Sequence, residues 1–262
     1  MMRNDPTYLR EEQYRTDANL AARQNLHARY STHPQAWFEW LFERLDVGPT
    51  ARILELGCGA GWLWEANRSR IPDGWEVTLS DFSPGMLASA EARLREGAEQ
   101  FAFELIDAAS IPFAAAAFDG VIANHMLYHV SDRPAAIRQM QRVLAPGGRL
   151  FAATNGLDHL SELWRLGSSF GLVASRDVAH QFTLENGAAQ LAPFFHDVQC
   201  ERYEDALEVT RAEDLVAYVL SAAPAPPTAD AVARLSDHVA TLIATHGSFH
   251  ITKSVGLFTA TR

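Results

Sequence analysis

The stretch Ile53–Trp64, ILELGCGAGWLW, decides the fold of this 262-residue chain. A hydrophobic run through Glu55 leads directly into three glycines at alternate positions, Gly57, Gly59 and Gly61. Glycine after a first strand lets the backbone turn sharply into a helix and approach a ligand closely. The stretch therefore predicts a β-strand, a glycine-rich loop and a helix in succession. A tight turn that binds no ligand is the alternative interpretation.

The composition indicates a globular chain that acts in a reducing compartment. Hydrophobic residues make up 48% and charged residues 21% of the sequence, which suits one large domain. Acidic residues outnumber basic ones by 32 to 22, a net charge of −10 that disfavours a nucleic-acid partner. Cys58 and Cys200 lie far apart and form no disulfide framework. With no secretory signal and no apolar run of ~18 residues, we expect a cytoplasmic protein without a membrane span.

Strand-like and helix-like segments alternate from about residue 50 to 155, at the spacing of βαβ units. That alternation predicts a parallel sheet with helices on both faces. Beyond residue 190, VQCERYEDALEVT has the pattern of an antiparallel strand, and HITKSVGLFTATR that of a final strand. The predicted strands of the first half are ARILEL, WEVTLSDF, the start of FAFELIDAASIPF, FDGVIANHML and GRLFAAT.

Three regions divide the chain, although we expect a single domain overall. Residues 1–46 read as helical, because apolar residues such as Trp37, Trp40 and Leu41 recur at helical spacing. Residues 47–155 form the ligand-binding core. Residues 156–262 complete the sheet and add a helical insertion that caps the acceptor site.

The loop's surroundings indicate which kind of ligand it holds. Asp81 ends the second predicted strand, roughly 20 residues after the loop, where such folds place a carboxylate on a ribose. Trp62 occupies the place of the third glycine of a dinucleotide fingerprint and denies room to a pyrophosphate. Glu55, two residues before the first glycine, suits a cationic ligand with an amino-acid tail. A nicotinamide-dependent oxidoreductase is thus the weaker alternative, and Asp81 as a simple helix cap beside Ser83 stays open.

Four stretches together resemble the class I S-adenosylmethionine-dependent methyltransferases. They are ILELGCGAGWLW, VTLSDFSPGML, FELIDAASIPFAAAAFDGVIANHMLYHV and RVLAPGGRLFAATN, and they follow the order found in that family. The nearest likeness is to small-molecule enzymes of the ubiquinone and menaquinone biosynthesis type. The resemblance implies a Rossmann-like, doubly wound α/β fold with a seven-stranded, mainly parallel sheet and an antiparallel last strand. It also implies an N-terminal helical lid and helical insertions.

The same resemblance implies S-adenosyl-L-methionine as the cofactor and assigns roles to individual residues. Glu55 would face its ammonium end, Asp81 its ribose, and Asp107 its adenine amino group. Tyr14 and Arg23 of the lid would lie near its methionine end. The remaining implied cofactor-binding residues are Gly57, Cys58, Gly59, Phe82, Met86, Ala108 and Asn124.

Histidines and tyrosines supply the candidate catalytic groups. NHMLYHV contains His125, Tyr128 and His129, and on a helix His125 and His129 would share a face. They could bind a metal, although no third ligand is visible, act as a general base, or only shape the pocket. We expect no metal. For the acceptor molecule the candidate contacts are His27, Tyr30 and Trp164.

The predicted function is methyl transfer to a small, apolar or aromatic molecule, at an oxygen, nitrogen or carbon atom that the residues leave undetermined. The alternative is a protein that binds the cofactor without catalysis. A monomer and a homodimer are both compatible with the sequence.

Overall fold

The described part of the chain folds around one seven-stranded sheet. The structure is a computed structural model that describes residues 25–96, 98–173, 181–223 and 225–262. In chain order the strands are β1 Arg52–Leu56, β2 Glu76–Asp81, β3 Phe101–Leu105, β4 Phe118–Asn124, β5 Leu144–Asn155, β6 His196–Val209 and β7 Phe249–Thr261.

Helices follow most strands, as the alternating sequence pattern predicts. Some begin at a residue whose side chain caps them; Ser83, for example, accepts a hydrogen bond from Met86 N, and Pro84 follows it as the first helical residue. In chain order the helices are α1 Trp37–Phe42, α2 Trp62–Ala66, α3 Pro84–Leu94, α4 Arg133–Val143, α5 Ser161–Ser169, α6 Gly187–Leu191, α7 Ala212–Ser221 and α8 Ala229–His246.

The strand order is β3-β2-β1-β4-β5-β7-β6, which confirms the predicted fold class. Strands β1 to β5 pair in parallel, whereas β7 pairs antiparallel with both β5 and β6. The order reverses between β1 and β4, and ligands of such sheets bind beside the carboxyl ends of the strands at that point. The glycine loop after β1 and the histidine segment after β4 therefore meet at one edge.

Both faces of the sheet are buried. Along β4, Val121 and Ala123 pack into one hydrophobic cluster with α4, while Ile122 between them packs into another with α1, α2 and α3. This alternation follows from the period of two along a strand. A third cluster joins residues 25–30 to α5, α7, α8 and parts of β6 and β7, forming the cap beside the site.

The N-terminal region is less helical than its apolar spacing predicts. Residues 25–30 and Trp37–Phe42 are helical, but the segment between them is not. There Ser31 bridges Leu207 in antiparallel fashion, and Thr32 N donates to Ala206 O at 3.0 Å. The segment leaves the helical conformation because its backbone pairs with the edge strand β6. Residues 1–24, on which the lid prediction mainly rests, lie outside the described residues.

Candidate active site

The glycine loop after β1 adopts a backbone that only glycine reaches without strain. Gly57, Gly59 and Gly61 have φ angles of 71°, 55° and 79°, all in the left-handed region. A Cβ on Gly57 would lie 2.7 Å from Cβ of Met126, in the segment after β4. The bare backbone therefore serves both to turn the chain and to let the ends of β1 and β4 approach each other.

Asp81 ties this loop to the end of β2. Its Oδ2 accepts a hydrogen bond from Gly59 N at 2.9 Å, and its Oδ1 accepts one from Ser83 N at 2.8 Å. Burial raises the pKa of Asp81, and the backbone hydrogen bonds oppose that rise. A carboxylate offers about four acceptor positions, so Asp81 retains capacity for a ligand hydroxyl beside its backbone hydrogen bonds. The side chain of Ser83, and not that of Asp81, caps α3.

Glu55 is a buried carboxyl next to the same loop. Its side chain is 1% exposed and accepts a hydrogen bond from Trp64 Nε1 at 2.6 Å. Burial raises its pKa to about 7, and the nearby charge of Asp81 adds to the rise. Two carboxyl groups thus converge at one helix entry, an arrangement that favours a cationic ligand.

The thiol of Cys58 is not activated. The residue is buried, and its Sγ contacts Gly59 O at 3.5 Å. Burial raises the pKa of the Cys58 thiol well above its usual value, although the residue lies near the start of a helix. A small side chain is what the loop requires.

The predicted adenine contacts differ in accessibility. Phe82 is 39% exposed, whereas Met86 is 1% exposed and presents no open surface to a ring. Asp107 is exposed and its Oδ1 accepts from Ala109 N at 2.9 Å, while Ala108 is buried. The hydrogen bond from Ile106 N to Asp81 O, 3.2 Å long, brings this segment next to the end of β2.

The chain after β4 places His125 at the reversal point of the sheet. His125 has a φ angle of 57°, unusual for a side chain with a Cβ, and its N donates to Ala153 O at 3.1 Å. Its ring centroid lies 5.3 Å from that of Trp37. Burial, and to a smaller extent the charge of Lys253, lowers the pKa of His125 to about 4. Beside it, Asn124 Oδ1 is buried without a hydrogen-bond partner.

His129 does not share a helix face with His125. Residues Leu127–His129 form a single 3₁₀ turn, and the left-handed His125 lies outside it. The Tyr128 ring instead contacts His129 at 4.5 Å and lies 6.3 Å from His125. In the described residues no group of three or more His, Cys, Asp or Glu side chains is arranged to hold a metal ion.

Of the two predicted acceptor contacts in the N-terminal region, His27 lies near the candidate site and Tyr30 lies away from it. His27 stacks on His159 at 6.4 Å, and burial lowers its pKa to about 3. Tyr30, by contrast, is buried in the cap and its hydroxyl donates to Asp214 in α7 at 2.5 Å. The predicted contact of Tyr30 with the acceptor therefore does not agree with its position. Tyr14 and Arg23 lie outside the described residues.

The structure reveals an ion pair that the sequence patterns do not indicate. Lys253 Nζ contacts Asp205 Oδ2, and the two side chains are 6% and 0% exposed. Asp205 also accepts hydrogen bonds from Ser31 Oγ at 2.7 Å, Thr32 N at 2.9 Å and His33 N at 3.0 Å. A lysine inside a predicted strand was the available signal, but the sequence did not indicate that Asp205, on the preceding strand, lies directly opposite it. The pair anchors the N-terminal segment that carries His27.

A cavity of about 260 Å³ opens at the carboxyl ends of β4 and β5. Trp164, a candidate acceptor contact, lines it together with Tyr128 and Phe182. Its polar lining includes Asn155, His159 and Thr183.

Comparison with known proteins agrees with this architecture. Residues 54–152 match the family described as "Methyltransferase domain". Methyltransferase GfsG of Streptomyces halstedii is 40% identical over 119 residues, which cover 44% of this chain and 41% of that protein. Demethylmenaquinone methyltransferase of Beutenbergia cavernae is 35% identical over 117 residues, which cover 45% and 46%. The chain thus spans less than half the length of these relatives.

Among solved structures, phosphoethanolamine N-methyltransferase 2 of Haemonchus contortus, in complex with S-adenosyl-L-methionine, superposes with a TM-score of 0.63. The identity is 20%, and the match covers 100% of this chain and 60% of that one, so the likeness concerns the fold. The family match concerns residues 54–152, which resemble methyltransferase domains of the class I, S-adenosylmethionine-dependent type. The chain resembles small-molecule methyltransferases, as the sequence motifs predict, and the nicotinamide alternative is not favoured.

Proposed function

We propose that this protein is a methyltransferase that transfers a methyl group from S-adenosylmethionine to a small molecule. The observation that carries the proposal is that the left-handed glycine loop is hydrogen-bonded to Asp81: Gly59 N donates to Asp81 Oδ2. A ligand that lies along this loop meets bare backbone at one end and, at the other, the half-buried carboxyl of Asp81, which can accept further hydrogen bonds.

The residues around the loop fit this cofactor. Glu55 and Asp81 are carboxyl groups at adjacent strand ends; Glu55 is buried and Asp81 is half-buried. Their negative charge suits a molecule with an ammonium and a sulfonium group and opposes a pyrophosphate. Asp81 would hold the ribose hydroxyls, Glu55 the ammonium end, Phe82 the adenine ring, and Asp107 the adenine amino group.

When bound, S-adenosylmethionine would supply an electrophilic methyl group, whose carbon would bond to the acceptor atom in line as the carbon–sulfur bond breaks and S-adenosylhomocysteine leaves. The protein contributes by holding the acceptor against that methyl group and by excluding water. His125 lies where the ends of β1 and β4 meet and is neutral at neutral pH, because burial lowers its pKa to about 4. A neutral imidazole accepts the proton that an O–H or N–H acceptor must lose.

The acceptor would enter the cavity lined by Tyr128 and Trp164, since Tyr128 connects it to His125. The lid role of the N-terminal region is supported by the anchoring of residues 31–33 on Asp205 and by the contact between Trp37 and His125.

Within the described residues, no helix has both the length and the apolar character that crossing a bilayer requires. A cytoplasmic location is proposed because both Cys58 and Cys200 are free thiols.

The proposal is tested by calorimetric titration with S-adenosylhomocysteine, the demethylated cofactor. We expect saturable binding that Asp81→Ala weakens by about 1.5–3 kcal/mol, through loss of charged hydrogen bonds. Asp132→Ala, which removes a carboxylate that caps α4, is the control and should leave the affinity unchanged. Absence of binding to the wild type would refute the proposal; equal affinities of wild type and Asp81→Ala would remove Asp81 from the site.

Catalysis is tested separately from binding. Incubation of the protein with the cofactor and a panel of phenols, amines and quinones, followed by mass spectrometry, should detect a product heavier by one methylene unit. Cofactor binding without product from any class of acceptor would favour the non-catalytic alternative.

A further inference from the structure

Two residues that line the cavity each have a side-chain oxygen atom without a hydrogen-bond partner among the described residues. Asn155 Oδ1 and Thr183 Oγ1 are both buried without a hydrogen bond, and both residues line the cavity. Thr183 is only 3% exposed, so bulk water does not compensate its hydroxyl. A buried polar atom without a partner is costly, and native proteins satisfy nearly all such groups, with protein, ordered water or a ligand.

The backbone around these two atoms is held rigidly. Thr154 Oγ1 donates to Phe182 O at 2.7 Å, and Leu184 N donates to Asn155 O at 3.1 Å, so residues 182–184 are fixed to the end of β5. Thr183 N donates to Asn186 Oδ1 at 2.9 Å. The backbone groups of both residues are thus engaged, while the two side-chain oxygens are left. Such fixed, unpaired groups are suited to recognise a ligand because their positions need no reorganisation on binding.

The rest of the lining indicates the shape of the ligand. Tyr128, Trp164 and Phe182 contribute aromatic side chains to a space of about 260 Å³. Ligand pockets commonly measure about 300–1,000 Å³, so this one suits a molecule of one or two rings. Aromatic walls favour a flat aromatic ligand through offset or edge-to-face contacts.

We propose that the cavity selects planar aromatic molecules that carry an O–H or N–H donor. Asn155 Oδ1 accepts the hydrogen bond from that donor, and the Thr183 hydroxyl forms a further hydrogen bond with the ligand. Asn155 and Thr183 are then specificity-determining residues. A molecule of the same shape without the donor leaves both oxygens buried and unpaired, and such a site discriminates strongly against it. The inference rests on the proposed function only in taking this cavity as the site of the methyl acceptor.

Equilibrium dialysis without cofactor tests the inference, with 2-naphthol and 2-fluoronaphthalene as matched probes. Fluorine replaces the hydroxyl group at similar size but donates no hydrogen bond. The wild type should bind 2-naphthol about tenfold or more tightly than 2-fluoronaphthalene. The double variant Asn155→Leu, Thr183→Val should bind both probes with similar affinity. Thr259→Val, the same chemical change on β7 opposite Phe151, is the control and should keep the wild-type preference.

The melting temperature provides a second readout that needs no ligand. Because Thr183 Oγ1 has no partner in the protein, Thr183→Val should leave the melting temperature unchanged or raise it. A marked fall would show that the hydroxyl has a structural partner and would overturn its role in recognition. Equal binding of the two probes by the wild type would overturn the whole inference. Titration with S-adenosylhomocysteine is independent of these measurements, so the proposed function stands or fails separately.

Discussion

The substitution Glu55→Gln should stabilise the protein at alkaline pH. Glu55 is 1% exposed, and burial raises the pKa of its carboxyl from 4.5 to about 7. Glutamine has nearly the same shape and retains an oxygen that accepts the hydrogen bond from Trp64 Nε1. It carries no ionisable group, so it removes the cost of a buried negative charge at this position.

The magnitude follows from the difference in proton binding between the folded and unfolded states. Between pH 4.5 and about 7 the folded carboxyl holds a proton that the unfolded chain has released. The contribution of Glu55 to stability therefore falls as the pH rises through this window and is constant above it. At 1.36 kcal/mol per pH unit, the shift corresponds to about 3 kcal/mol at pH 8.

Urea denaturation of the wild type and of Glu55→Gln between pH 4 and pH 8 measures this effect. The free energy of unfolding of the variant should exceed that of the wild type by an amount that grows by about 3 kcal/mol over this range. Glu104→Gln, at an exposed position on β3, is the control and should follow the wild type. Parallel pH profiles of wild type and Glu55→Gln would refute the reasoning. If Glu55 also faces the cofactor's ammonium group, the stabilised variant should bind S-adenosylhomocysteine more weakly.

Two further predictions concern the anchor of the N-terminal segment and the thiols. Asp205→Asn should lower the free energy of unfolding by about 3–5 kcal/mol, because Lys253 keeps a buried charge without its partner. Urea denaturation should show that adding Lys253→Met recovers part of this loss. No loss in the single variant would contradict a buried ion pair. A thiol reagent applied to the native protein at pH 8 should label Cys200, which is exposed, and spare the buried Cys58. Rapid labelling of a Cys200→Ser variant would show that Cys58 is accessible after all.

Local patterns were sufficient to predict the sheet and the loop. The alternation of strands and helices predicted the parallel core, and the glycines at 57, 59 and 61 predicted the turn that the left-handed φ angles confirm. Ser83, directly before Pro84, has the residue type and position of a helix cap, and it caps α3. These features depend on residues close in sequence, where backbone preference and hydrophobic period determine the conformation.

The function of individual side chains depended instead on contacts between distant segments. Tyr30 and His27 lie three residues apart, yet Tyr30 is tied to Asp214 in the cap while His27 stacks on His159 near the site. The helical spacing of residues 1–46 did not predict the pairing of Ser31 with Leu207, because a neighbouring strand edge offers hydrogen bonds that no local pattern records.

The amino-acid sequence by itself thus determined the fold class and the glycine loop, and it indicated the carboxylate of Asp81 beside that loop. Tertiary structure alone decided which groups are buried together: Glu55 with Trp64, Lys253 with Asp205, and the unpaired oxygens of Asn155 and Thr183 on one cavity wall. The reason is that burial and pairing set the charge and hydrogen-bonding state of a side chain, and both arise only when segments far apart in the chain pack against each other.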